Sequence, residues 1–168
     1  MSLSMYQASV PVFVRLVTAL SKILDKASAH AEAKKIDPNA LLGARLFPDM
    51  YPLVKQVQTV SDFAKNCAGR LAGIEIPKFA DNEASFEELK ERLAKTLTFL
   101  NSLKPEQVDG SEDRTISFKM GQRDVSMTGR EYLLATSMPN FYFHLTTAYA
   151  ILRHNGVEIG KRDFLGTA

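Results

Sequence analysis

Tyr6, Val10, Phe13, Val17, Leu20 and Leu24 recur at steps of three and four. That period puts all six on one face of an α-helix, with Arg15, Lys22 and Lys26 off the stripe. A second stripe runs Met50, Leu53, Val57, Val60, Phe63 (or Ala64), Cys67 and Leu71, and a third runs Phe86, Leu89, Leu93, Leu97 and Leu100. A fourth long apolar segment occupies residues 128–155. Most of the stability of such a helix comes from burying its apolar face against other elements. Four striped segments joined by loops predict an all-α chain, an antiparallel four-helix bundle, in a single domain over residues 1–168. That length buries a core without disulfides or metal staples.

Punctuation residues set the expected bounds. Helix one is expected over about 3–31, kinked at Pro11 because Leu3 and Tyr6 extend its stripe; the alternative is a start near Ser9 with Pro11 in the first turn. Asp37-Pro38 opens a short helix to about Arg45, and Phe47-Pro48 bends the chain. Helix two is expected over 49–71, ended by Gly73, and Ile74 to Ala84 reads as loop. A capping box at Ser85-Phe86-Glu87-Glu88 opens helix three over 85–103, with Glu88–Arg92 and Glu91–Lys95 as surface pairs. Residues 105–113 read as loop. Between helices three and four, residues 114–127 alternate and carry Gly121-Gln122, the signature of a small β-hairpin with glycine first in its turn. A second box, Thr128 to Glu131, opens helix four over 128–155, closed by Gly156; Pro139 predicts a kink near Met138. Residues 157–168 read as an extended tail.

Charge excludes one class of partner. The chain has 21 basic and 19 acidic residues without a clustered basic face, so no nucleic-acid partner is expected. No apolar run is long enough to span a bilayer, so no membrane role is expected either. One cysteine, Cys67, and an amino-terminal stretch lacking a basic region point to a cytoplasmic protein. Cys67 itself reads as a small core residue.

No phosphate loop, dinucleotide fingerprint, CxxC, HExxH or GxSxG is present. Of the three histidines, His30 reads as exposed and His154 sits in the last turn of helix four, favourable to the helix dipole. His144 lies in an apolar run, Phe141-Tyr142-Phe143-His144-Leu145, with Asn140 one turn earlier on the same face. The plain expectation is a core histidine bonded to a carboxylate or carbonyl; the functional one is a ligand contact inside the bundle. On helix two, Asp49 and Gln56 lie near the inner stripe. A long polar side chain there normally turns to water, and an inward Gln56 is the alternative. Phe141, Tyr142 and Phe143 sweep about 200° of helix and cannot all face one core. At least one is expected on the hairpin or on a second chain, making a homodimer the expected assembly.

The run Asn140 to His144, followed by Ala150-Ile151-Leu152-Arg153-His154-Asn155-Gly156-Val157, resembles the last helix of the DinB/YfiT-like metalloenzyme superfamily of four-helix bundles. Pro48-Asp49-Met50-Tyr51-Pro52-Leu53 with Gln56-Val57, and Gly160-Lys161-Arg162-Asp163-Phe164-Leu165-Gly166, resemble a branch known only as a domain of unknown function. The resemblance spans essentially the whole chain. It implies a divalent metal, zinc or nickel, held by three histidines: one on the second helix and two, four apart, on the last. In register, those two fall on Asn140 and His144, and helix two has no histidine, leaving Gln56 or Asp49 as the replacement. One imidazole with amides would hold zinc poorly. The expected function is therefore small-ligand binding or protein interaction around a degenerate metal site. The alternatives are a metal- or thiol-dependent transferase or isomerase using His144, and a structural homodimer without a ligand site.

Overall fold

The computed structural model describes residues 3–167. In chain order its elements are α1 (Val10–Lys34), α2 (Pro38–Leu42), α3 (Leu53–Ala72), α4 (Phe86–Ser102), α5 (Pro105–Val108), β1 (Thr115–Met120), β2 (Arg123–Thr128), α6 (Gly129–Glu131), a π-helical turn (Tyr132–Ser137), α7 (Met138–His154) and α8 (Lys161–Leu165). The four long helices α1, α3, α4 and α7 form the antiparallel bundle that the stripes predict. α3 packs most extensively on α7, and α1 on α4. Phe13, Val17, Leu20 and Leu24 of α1 are fully buried with Leu53, Val57 and Val60 of α3 and Leu89 and Leu93 of α4. Phe13 meets Phe141 edge to face at 4.9 Å, tying α1 to α7.

Proline chemistry moves several boundaries. α1 begins at Val10, not at residue 3, and runs on to Lys34. Pro11 has no amide for the carbonyl of Gln7, and Ser9 leaves helical geometry at φ −126° and ψ −78°, so the residues before it form a separate turn. α3 begins at Leu53, not at Asp49, because Pro52 is extended and restricts Tyr51 before it. Asp49 and Met50 therefore sit in the connection, off the helix face. The segment read as loop after Pro105 contains α5, and the expected extended tail folds into α8. There Asp163 accepts from the amide of Gly160 (2.8 Å) and pairs with Lys26, while Arg15 donates to the carbonyl of Leu165 (2.8 Å). Residue 168 of that tail lies outside the described residues.

The hairpin pairs β1 and β2 from Thr115↔Thr128 to Met120↔Arg123, with Gly121 at φ +62° opening its two-residue turn. Phe118 packs on Tyr132 at 5.0 Å. The last helix is not simply kinked at Met138. Pro139 crowds the carbonyl of Ala135 and offers it no proton, and the chain widens into a π turn before α7 restarts. Among the described residues no helix is long and apolar enough to cross a membrane.

Candidate functional site

Gln56 faces inward from α3 and is only 1% exposed, contrary to the expectation that it turns to water. Its amide nitrogen donates to the carbonyl of Tyr51 (3.1 Å), which turns its oxygen toward His144 on α7. That oxygen lies 2.7 Å from Nδ1 of His144. An amide oxygen can only accept, so Nδ1 carries the proton and Nε2 keeps its lone pair. Among the described residues Nε2 has no hydrogen-bond partner. The ring stacks on Phe63 (5.8 Å) and Tyr51 (6.3 Å) and meets Phe143 edge-on. Partial burial favours the neutral imidazole and holds its pKa below the ordinary 6.5.

His144 and Gln56 line a cavity of about 240 Å³ with Asp49, Met50, Tyr51 and Phe143. Three of the four site residues singled out in the sequence thus meet. Asn140 does not join them. Its amide turns back to the carbonyl of Thr136 (2.7 Å) and it lines a different cavity, which also borders Phe63. Phe63 thus touches both, stacking on His144 and lining the cavity of Asn140.

A divalent cation does not fit this donor set. Gln56 spends its oxygen on His144 and its nitrogen on Tyr51, and Asn140 is bonded to its own helix. Asp49 is exposed on the connection before α3. Among the described residues no group of three His, Cys, Asp or Glu side chains is placed to hold a metal ion.

Residues 5–165 match the family described as Domain of unknown function (DUF1993). The chain belongs to that family. A DinB family member protein from Shewanella denitrificans, solved by crystallography, is 40% identical with a TM-score of 0.88; the match covers 97% of this chain and 92% of that one. No curated protein matches. The likeness to the DinB protein carries the bundle and hairpin of this DUF1993 chain.

Sequence reasoning missed the most heavily charged interior. Arg92 of α4 is 2% exposed and does not form the surface pair with Glu88. It turns inward to Asp62 (2.8 Å), Asp81 (3.0 Å) and Glu83 (2.9 Å) and donates to Ser61 and to the carbonyl of Ala80. Glu88 instead accepts from the amide of Ala84 (2.5 Å). No salt bridge joins Glu91 to Lys95 among the described residues. Cys67, by contrast, is a buried core thiol. Burial pushes its pKa up to about 12, with Ser137 and Arg70 pulling weakly the other way, so it is inert as a nucleophile.

The Gln56–His144 bond has a measurable signature. A folded-state pKa below the unfolded value means that His144 contributes stability fully present above about pH 6.5 and lost as pH falls through its lower folded value. Replacing Gln56 with Glu puts an anion against Nδ1. The His144 pKa is then expected to rise by about 1 unit or more, inverting that contribution. Proton NMR titration of the imidazole in Gln56→Glu checks this; an unchanged midpoint contradicts the bond.

Proposed function

We propose that this DUF1993 chain is a cytoplasmic small-ligand-binding bundle. Its site is the aromatic cavity at His144, built where the DinB metal site has degenerated. The observation that carries this reading is the 2.7 Å contact between Gln56 and His144, which takes up one ring nitrogen and leaves the other as a neutral acceptor beside a cavity. Tyr51, Met50 and Phe143 supply apolar walls. The ligand class is a neutral, flat molecule with one donor for Nε2. Phenol is the probe, with anisole, which lacks the donor, as its partner. Phenol is expected to shift the amide resonances of Tyr51, Phe143 and His144 saturably, and His144→Phe is expected to abolish the effect. Equal shifts with anisole, or none with phenol, overturn the reading.

The enzymatic alternative, with His144 as a general base, draws on the same free Nε2 and lowered pKa. A thiol-dependent transfer would need a metal, which the donor set around His144 does not fit.

A second copy of this chain is the partner we propose for the aromatic face. Tyr142 (40%) and Phe143 (56%) of α7 and Tyr51 (51%) are exposed, whereas the hairpin packs on Tyr132 and leaves them uncovered. Light scattering is expected to give twice the chain mass, and Phe143→Ser to give a monomer. A wild-type monomer at working concentration removes this assembly.

A further inference from the structure

A second cavity, of about 250 Å³, lies where α3, the hairpin and the π turn meet. None of its lining residues is acidic, and two, Arg70 and Lys119, are cationic. Arg70 forms no salt bridge among the described residues. Its guanidinium lies over Phe118 (4.8 Å) and Tyr132 (5.5 Å), and Nη1 donates to the Tyr132 hydroxyl (2.6 Å). Nε and Nη2 have no partner among the described residues, so one donor edge of a clamped guanidinium is left open. Two amides flank it. Asn66 turns its oxygen to Lys65 (3.2 Å), which leaves its NH2 free to donate, and Asn140 uses one of its two amide protons on Thr136.

A half-buried arginine seated over two packed aromatic rings, with no carboxylate beside it, is a receptor short of its anion. From this geometry we infer that the cavity binds a planar aromatic carboxylate, its carboxylate on the Nε–Nη2 edge of Arg70 and its ring against Phe118, which rests on the buried Tyr132. Two parallel N–H···O bonds match carboxylate geometry, and the ring walls favour an aromatic body over a bare ion. Lys119 on the hairpin adds long-range attraction, while Asn66 and Asn140 supply neutral donors. The π turn gives the site its shape, since Tyr132 and Thr136 both come from it. This site does not depend on His144 or on the phenol result.

Benzoate is the probe, followed by two-dimensional amide NMR on the full chain with benzamide and inorganic phosphate as controls. Benzoate is expected to shift Arg70, Phe118 and Thr136 saturably, at the high concentrations a fragment of this size requires. Benzamide is expected to leave them unmoved, and phosphate to bind at least about tenfold more weakly. Arg70→Gln is expected to abolish benzoate binding. Because Arg70 also packs on Tyr132, a second variant guards against loss of fold: Asn66→Asp keeps the acceptor for Lys65 but puts a carboxylate beside Arg70. It is expected to weaken benzoate by about tenfold while the melting temperature holds. The inference is overturned by no saturable shift, by benzamide or phosphate matching benzoate, or by folded Asn66→Asp binding benzoate as the wild type does.

Discussion

Arg92→Met is expected to destabilise the fold by about 3 kcal/mol, because it strips a buried cation from the largely buried Glu83 and from the half-exposed Asp62 and Asp81. Glu83 is 9% exposed at its side chain and is held by Arg92 at 2.9 Å and by Gln58 at 2.8 Å. Burial works against its charge, and the bonds from Arg92, its own backbone and Gln58 outweigh burial, so its pKa lies below the ordinary 4.5. Asp81, held chiefly by Lys55 and also by Arg92, lies below its ordinary 3.8. Stability from these carboxylates is complete above the ordinary values and is lost as pH falls through the lower folded ones. In the variant, Glu83 keeps its burial and loses its cation, so its pKa moves up. The deficit against wild type is therefore expected to shrink as pH is lowered from about 6 to about 4. Denaturant melts across that range measure it. A deficit under about 1 kcal/mol, or one that does not change with pH, contradicts the account.

Gly129→Ala is expected to cost about 3 kcal/mol, the upper end of ordinary overpacking. A Cβ on Gly129 would sit 2.0 Å from the backbone oxygen of Ser111. The obstruction is main chain, so no rotamer relieves it. The two strands of chain are fastened together there: Gly129 donates to the carbonyl of Arg114 (2.8 Å) and Arg130 to that of Glu112 (3.0 Å). Thr128 and Glu131 complete a capping box on the same turn (3.3 Å and 3.0 Å). Moving the loop away would break the first pair of bonds and disturb the second. A loss under about 0.5 kcal/mol would show that residues 111–114 shift freely.

The bundle was legible because a helical stripe is local: Phe13, Val17, Leu20 and Leu24 announce a buried face without any knowledge of what covers it. The hairpin was legible for the same reason, through Gly121 and the alternation around it. Position along the first helix was not, since Leu3 and Tyr6 fit the stripe and only the backbone shows that Ser9 has left helical geometry. Buried polar residues were the hardest to read. Arg92 has an ordinary surface partner four residues away, yet its actual partners come from α3 and from the loop at 80–83. The π turn was hidden as well, although Pro139 marked the place where the ladder had to give. At the His144 site, spacing put Asn140 and His144 on one face, but the amide of Asn140 found a carbonyl on its own helix and the residue borders a separate cavity. Gln56 and His144 are 88 residues apart, and no pattern in the chain announces their bond.

Nitrogen-15 spectra of the His144 ring, recorded before and after one equivalent of zinc, test the central claim directly. A neutral ring protonated at Nδ1, a titration midpoint below the ordinary imidazole value and no response to the metal are expected. A ring protonated at Nε2, or a zinc-induced shift of Nε2 that saturates at one equivalent, contradicts the claim.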